Sequence, residues 1–291
     1  MKSIPTSLLF VFLILCSPAL ISGQNIQLDD PFDDGDFTNN PTWDGTGSSF
    51  TIFEDSGNNQ LQLNATDAGS SYLSTSSATA YGSWEFFIHL DFTTLSGSNN
   101  LTVFLTSNMA DLFGEVSGYA LQAGESGSGD VFTIVRYEDG SVVETVVTGT
   151  TNINDGGEFQ VKAERSPDGT WILSVAEGYG STPVQEATGA DNEYNSSFYF
   201  GFRPDYTSTR TDLFYFDDIV ITQAPIELTA METVSNQEFQ VTFTNELDAA
   251  TVDPSDFSID GIGNPEVISV YKTKLRLHLP HLFRVEITYL P

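Results

Sequence analysis

Two groups of aspartates carry oxygen atoms at a spacing that could bind a divalent cation. One lies in FDDGDF and the other in FYFDDIVI. Carboxylate and carbonyl oxygens are the ligands that calcium prefers, whereas three histidines and one cysteine do not form a transition-metal motif. We predict a structural calcium site made of Asp33, Asp34, Asp36, Asp217 and Asp218. A solvated acidic turn is the alternative, because the first group lacks the full spacing of an EF-hand.

A second set of residues suits sugar recognition, in which an aromatic ring stacks on a pyranose and nearby polar groups bind its hydroxyls. The aromatic candidates are Trp43, Tyr119, Tyr179, Tyr194 and Tyr206. The loop RPDYTSTR adds two cations and a carboxylate. The predicted ligand-binding residues are therefore Trp43, Tyr119, Arg203, Asp205, Tyr206 and Arg210. For the two arginines the alternative is local pairing with the abundant acidic side chains.

We find no arrangement of residues that indicates catalysis. The E-x-D-x-x-E pattern, which places two carboxylates across a glycosidic bond, does not occur. In SWEFFIHLDF, the residues Glu85, His89 and Asp91 could share one face, but the alternation is typical of the polar outer face of a strand. The segment GESGSG lacks the spacing of a nucleophile elbow and is typical of a turn. We expect no catalytic residue.

Charge and a targeting signal indicate an exported protein. The chain of 291 residues carries 40 acidic and 10 basic side chains, and a field of this sign repels nucleic acid. Lys2, the apolar run LLFVFLILC and the small residues before Gln24 predict an export signal over residues 1–23. The apolar run itself is too short to span a bilayer. Cleavage removes the single cysteine, Cys16, and with it any disulfide. We expect a secreted or cell-surface protein without a membrane span after cleavage.

The elements that must position these residues are short strands. Eleven segments between residues 46 and 221 alternate apolar and polar side chains and are separated by Gly, Asn, Asp and Ser. Asp139-Gly140 and Asp168-Gly169 predict tight hairpins. The sequence therefore predicts an all-β, two-sheet jelly-roll sandwich over residues 24–223. The first and last strands of a jelly roll commonly lie side by side, which would bring the two aspartate groups together.

Several segments together resemble a known family. They are FDDGDFTNNPTWDG, WEFFIHLDF, GYALQAGESGSGD, FQVKAERSPDGTWILSV and FYFGFRPDYTSTRTDLFYFDDIVI. They are similar to the N-terminal jelly-roll domain of secreted Bacteroidetes-type surface proteins, and the resemblance spans most of residues 28–222. It implies a concanavalin A-like, laminin-G-like fold that Ig-like modules and a lamin-tail domain commonly follow. It implies an architecture more than an activity.

Residues 224–291 are expected to form a second unit. The stretch FQVTFTNELDAATV is similar to the opening strands of a bacterial Ig-like module, and KLRLHL alternates like a strand. A sandwich of this type needs about 80 to 100 residues, more than the sequence offers here. We predict a partial Ig-like unit that is truncated and has no lamin-tail region.

These features predict an exported, non-catalytic β-sandwich module for extracellular recognition or adhesion, with a glycan or another surface component as its partner. Two alternatives remain open. One is a polysaccharide-degrading hydrolase whose carboxylate pair no motif reveals. The other is a structural stalk domain that binds no ligand.

Overall fold

The computed structural model describes residues 25–124, 130–225, 228–235, 237–244, 266–271 and 274–278. The export signal predicted for residues 1–23, and all of GESGSG after its first glycine, lie outside these ranges. Apart from a 3-10 turn at Gly47–Ser49, the regular structure described is β-strand. The strands are β1 (Asn25–Asp30), β2 (Asp44–Gly45), β3 (Phe50–Asp55), β4 (Asn58–Leu63), β5 (Gly69–Ser70), β6 (Leu73–Ser76), β7 (Gly82–Leu90), β8 (Asn100–Ser107), β9 (Gly118–Ala123), β10 (Val131–Glu138), β11 (Ser141–Asn152), β12 (Gly157–Arg165), β13 (Thr170–Glu177), β14 (Val184–Ala190), β15 (Tyr199–Tyr206), β16 (Phe214–Gln223), β17 (Leu228–Thr233), β18 (Glu238–Phe243), β19 (Glu266–Tyr271) and β20 (Lys274–His278).

Two antiparallel sheets of eight strands form a sandwich. Sheet A has the order β14-β13-β12-β7-β16-β4-β3, with β1 also paired to β16. Sheet B has the order β11-β10-β9-β8-β15-β6-β2, with β5 also paired to β15. Aromatic rings of both sheets meet in the core, where Phe202 of sheet B stacks on Phe216 of sheet A at a centroid distance of 4.2 Å. The predicted all-β jelly-roll sandwich is confirmed.

Alternation along the strands explains which side chains fill this core. In β7, the side chains of Trp84, Phe86 and Ile88 are fully buried between the sheets, while Glu85 and His89 face outward. The predicted Asp139-Gly140 hairpin is confirmed, because Glu138 pairs with Ser141 and both turn residues have positive φ. Asp168-Gly169 likewise lies in the turn between β12 and β13. The period-two pattern therefore located most inward-facing residues correctly.

The first strand lies beside the last strand of the sandwich, as predicted. β1 pairs antiparallel with β16 from Asn25–Gln223 to Asp30–Ile219. The pairing of β16 with β7 shifts register between Asp217 and Val220, and Asp218 has a φ of 49°. This bulge leaves Asp217 fully buried and Asp218 partly exposed. One of the two carboxyl groups therefore points into a packed surface, as expected.

The two sheets also meet along one side of the sandwich, where edge strand β11 of sheet B contacts edge strand β14 of sheet A. Glu186 of β14 accepts hydrogen bonds from the backbone N–H of Thr150, at 2.9 Å, and of Thr151, at 3.2 Å. Gly189 approaches β11 so closely that a Cβ atom there would lie 1.9 Å from the carbonyl oxygen of Val146. Each of these edges therefore covers the other.

A small antiparallel sheet with the order β17-β18-β20-β19 follows the sandwich in sequence. Among its described residues, Phe239, Val241, Leu275 and Leu277 are buried. The predicted strand in KLRLHL is confirmed by β20. Residues Gln24–Pro225 form one compact unit, and this sheet belongs to another. Whether the second unit is a partial Ig-like module stays a prediction.

No helix in the described ranges is long and apolar enough to cross a bilayer.

Candidate functional site

The outer face of sheet A brings polar and aromatic side chains together through the register of its central strands. Across β7 and β16, His89 pairs with Tyr215 and Phe87 pairs with Asp217. Side chains of directly paired residues lie on the same face of a sheet. The face opposite the core therefore carries a row that begins on β3 and continues across β16 and β7.

Five rings form what we call the aromatic strip: Phe53, Tyr215, His89, Phe87 and Tyr179. Tyr215 contacts Phe53 edge-on at 5.5 Å and stacks on His89 at 5.1 Å. Phe87 lies 6.5 Å from His89 and contacts Tyr179 edge-on at 4.8 Å. Phe53 is 40% exposed and Tyr179 is 45% exposed, whereas Phe87 is buried. The strip therefore has two exposed ends joined by more sheltered rings.

Hydrogen-bonding groups border the strip. The Gln62 side-chain amide donates to the Tyr215 hydroxyl at 2.9 Å and to the Asp212 carbonyl at 2.8 Å. The backbone N–H of Tyr179 donates to the Glu158 carboxylate at 3.2 Å. His89 lies 4.0 Å from the carboxylate of Asp91. Amide, carboxylate and imidazole groups beside ring faces are the combination that binds sugar hydroxyls.

A buried carboxyl group lies beneath one end of the strip. Asp217 accepts hydrogen bonds from the Asn58 side-chain amide at 2.7 Å and from the backbone N–H of Asp218 at 2.8 Å. The Tyr179 hydroxyl lies 3.5 Å from the same carboxyl group. Burial raises the pKa of Asp217 to about 7, and the nearby charges of Asp218 and Asp33 add to that rise. The Tyr179 pKa is also raised, by burial and then by the charge of Asp217.

Three aromatic residues predicted to bind sugar are buried, so the prediction that their rings are exposed is wrong. Trp43 is 3% exposed, stacks on Phe202 at 5.5 Å and donates its indole N–H to Asp30 at 2.7 Å. Tyr119 is fully buried, and Tyr206 is buried with its hydroxyl 2.6 Å from that of Ser71. These three rings point into the core, because each lies at an inward-facing position of the chain.

The other predicted ligand-binding residues make contacts within the protein. Arg203 lies over the Phe104 ring and donates to the Leu112 carbonyl at 2.8 Å. Arg210 donates to the Thr209 carbonyl at 3.0 Å, and Asp205 accepts a short hydrogen bond from Ser70. Among the described residues, neither arginine takes part in an ion pair. The alternative of local acid pairing is therefore not what the structure shows either.

The five aspartates predicted to bind calcium are not gathered into one ligand set. Within the described ranges, no group of three or more Asp, Glu, His or Cys side chains could hold a metal ion. Asp33 and Asp34 are exposed, and Asp36 accepts hydrogen bonds from the side chains of Asn39 and then Thr38 that lower its pKa to about 2. Asp217 is already satisfied by an amide and a backbone N–H. Asp33 lies near enough to Asp217 for its charge to raise the Asp217 pKa. The Asp34 carboxylate, however, accepts a hydrogen bond within its own turn, from the backbone N–H of Asp36.

The sequence predicts His89 on the outer face and Tyr179 as an aromatic candidate, but it does not predict the other three rings of the strip. Phe87 and Tyr215 lie within nearly continuous apolar runs, in which alternation alone does not separate an outward ring from an inward one. Phe53 directly follows Ile52, so alternation does not assign it a face either. A usable signal was present in SWEFFIHLDF, where Phe87 is an aromatic residue at an outward position of an alternating strand.

No family model matches this chain, and no curated protein matches it. Solved structures that are similar include a legume lectin-like domain from Entamoeba histolytica, with 13% identity, a TM-score of 0.46 and coverage of 68% of this chain and 96% of that one. The Ca2+-bound form of the VIP36 exoplasmic/lumenal domain has 12% identity, a TM-score of 0.48 and coverage of 70% and 93%. The carbohydrate binding module CBM66 from Bacillus subtilis has 14% identity, a TM-score of 0.42 and coverage of 61% and 92%. At these values the likenesses carry no argument about function.

Proposed function

We propose that this protein is a non-catalytic recognition module that binds a glycan along the aromatic strip. The observation that supports this function is the presence, on one outer face, of exposed rings bordered by amide, carboxylate and imidazole groups. The strip crosses from β3 to β7, three strand spacings or about 14 Å. A length of this order suits an oligosaccharide better than a single sugar.

The rings and the polar border have different roles in this proposal. Phe53 and Tyr179 present apolar ring surface to the C–H faces of sugar rings, which removes that surface from water. Gln62, His89 and Glu158 offer donors and acceptors to the hydroxyl groups. Stacking supplies most of the affinity, and the polar groups select the orientation of the sugar.

Hydrolysis is the second candidate function, because a pKa of about 7 suits a general acid and Asp217 has such a value. Glycosidases need a second carboxyl group across the scissile bond. Asp217 is fully buried in the unliganded chain, whereas Phe53 and Tyr179 already expose ring surface for stacking. We therefore infer binding rather than turnover.

Isothermal titration of the whole exported chain with a panel of neutral and charged oligosaccharides tests the proposal. Tyr179→Ala and Phe53→Ala should each weaken binding at least about tenfold, because a stacked ring is among the costliest contacts to remove. Phe113→Ala is the matched control, since Phe113 is 50% exposed but contacts Tyr72, next to β6 of the other sheet.

Each result has a distinct meaning. Weakening by the two strip variants but not by Phe113→Ala supports the strip as the binding site. Equal weakening by all three variants would contradict it. Product release from any oligosaccharide, lost in Asp217→Asn, would establish the hydrolase instead. Failure of the whole panel to bind would favour a stalk domain.

We further propose that residues 1–23 direct export, that residues 24–223 form the recognition module, and that residues 224–291 form a partial Ig-like spacer. Mass spectrometry of the exported protein should show an N-terminus at Gln24.

Adhesion to a surface glycan is the biological role that fits an exported binding module. Calcium is left out of this function, because the described aspartates do not assemble a ligand set.

A further inference from the structure

The ring at the centre of this inference, Phe87, lies between two hydrogen-bond acceptors. On one side it pairs with Asp217 of β16, and on the other side it pairs with Gln160 of β12. Gln160 is 7% exposed, and its side-chain oxygen has no donor among the described residues. A buried acceptor without a donor costs free energy, so this place on the outer face favours a ligand that donates hydrogen bonds.

The charged side chains around Phe87 are mostly carboxyl groups. The charges of Asp218 and Asp33 raise the pKa of Asp217 beyond the effect of burial. Glu158 is two residues from Gln160 on the same outer face of β12. Lys162, the next outward residue of β12, is already paired with Glu164 at 3.1 Å. No lysine or arginine in the described ranges forms an ion pair with Asp217. A positively charged group of a ligand would therefore be favoured beside Asp217.

Tyr179 covers this region with a contact that is easily given up. Its hydroxyl is 3.5 Å from the Asp217 carboxyl, at the outer limit of a hydrogen bond. Gly178 and Gly180 flank it with φ values of +90° and +67°, and a Cβ at Gly180 would meet nothing within 4 Å. A ligand group that displaced the Tyr179 hydroxyl, while the ring stayed in the strip, would replace this weak hydrogen bond and the interactions of the hydroxyl with Asp218 and Asn58, and would gain access to Asp217.

We propose that the aromatic strip recognises a glycan that carries free amino groups, with the sugar ammonium taking the place of the Tyr179 hydroxyl. The ammonium group has three donors and no acceptor. One ammonium donates to Asp217, and a second amino group along the oligomer donates to the unpaired oxygen of Gln160, which lies two strand spacings, or about 10 Å, from Asp217. A neighbouring sugar ring stacks on the exposed Phe53. An N-acetylated sugar offers one amide donor and no charge, and an acidic glycan is repelled. This inference rests on the proposed function and names its ligand class.

The test compares three oligosaccharides of equal length near neutral pH: β-linked glucosamine, N-acetylglucosamine and glucose oligomers. The glucosamine oligomer should bind at least about tenfold more tightly than the other two, as expected for a hydrogen bond to a charged group. Its advantage should shrink as sodium chloride is added. Equal affinity for all three would overturn the amino-sugar inference and leave the proposed function standing. Binding of none would overturn the proposed function itself.

Variants separate a specific contact from general attraction to an acidic protein. Asp217→Asn should bring the glucosamine preference close to one while keeping the affinity for the neutral oligomers. Asp67→Asn removes an exposed charge from the loop after β4 and should leave the preference unchanged. An equal loss in both variants would overturn the inference.

If Asp217→Asn fails to fold, a variant that leaves Asp217 unchanged tests the inference instead. Tyr179→Phe keeps the ring and removes only the hydroxyl, so binding of the glucosamine oligomer should be maintained or strengthened. A tenfold loss in that variant would show that the hydroxyl itself binds the ligand, and would contradict its displacement.

Discussion

At the scale of single residues, Asp217 of the folded chain keeps its proton at pH values between about 4 and 7, at which an ordinary aspartate is ionised. Its pKa rises from 3.8 to about 7 on folding, chiefly because burial disfavours the charge. The folded chain therefore binds more protons at this group than the unfolded chain does between those values. Stability from this source is fully present below about pH 4, falls as pH rises toward 7 and stays low above it.

We predict that Asp217→Asn removes this component of the pH dependence. The unfolding free energy of the variant, relative to the unchanged protein, should rise between pH 4 and 7 by at most about 1.4 kcal/mol per pH unit and then level off. Urea denaturation at a series of pH values measures the difference. Taking the difference cancels other titrating groups, such as Asp30, whose pKa is also raised by burial. A difference that does not change with pH would contradict the raised pKa.

A second prediction at this scale concerns Trp43, which the sequence placed at the sugar site and the structure places in the core. Trp43→Phe keeps the ring contacts but removes the donor to the buried Asp30 carboxyl. Denaturation should show a loss of about 1–3 kcal/mol, the cost of a buried group losing a partner. Glycan affinity should stay unchanged. Weaker glycan binding in a stably folded Trp43→Phe protein would restore the original hypothesis.

At the scale of elements, the contact between β11 and β14 closes one side of the sandwich. Gly189 is required there for steric reasons and not for an unusual backbone angle, because the carbonyl of Val146 occupies the space of a Cβ atom. The sequence gives no sign of this contact, since β14 is only weakly apolar and its partner lies far away along the chain.

We predict that Gly189→Ala destabilises the sandwich by about 1–3 kcal/mol, as overpacking usually does. Thermal unfolding measured by circular dichroism should show the lower midpoint. Gly69→Ala is the matched control, because a Cβ at Gly69 meets nothing within 4 Å. Similar midpoints for the two variants would mean that β11 and β14 separate at little cost.

At the scale of the whole molecule, the sequence predicted the sheets better than it predicted the site. Alternation identifies the core residues of β7 because each inward residue is apolar and the outward residues other than Phe87 are small or polar. The same rule fails in β16, where FYFDD is apolar or buried on both faces and a bulge changes the register. Tyr215 and His89 face outward side by side only because two distant strands pair, and local patterns do not contain that pairing.

The net charge of −30 is also a property of the whole molecule. Repulsion among carboxylates opposes the compact state, and added salt screens it. Because the described aspartates form no metal ligand set, we predict that calcium and sodium chlorides of equal ionic strength raise the melting temperature equally. Chelator should leave it unchanged. A rise with calcium alone, reversed by chelator, would restore the calcium site.

The three tryptophans of this chain are Trp43, Trp84 and Trp171, which are 3%, 0% and 0% exposed. Trp84 and Trp171 stack at 5.6 Å with an interplanar angle of 26°. Indole emission therefore follows unfolding of the sandwich, and two coupled indoles should give a near-ultraviolet dichroic signal that disappears with the core. Because the aromatic strip contains no tryptophan, a bound sugar should leave that emission almost unchanged. The optical signal of binding should instead come from the absorbance of Tyr179 and Tyr215.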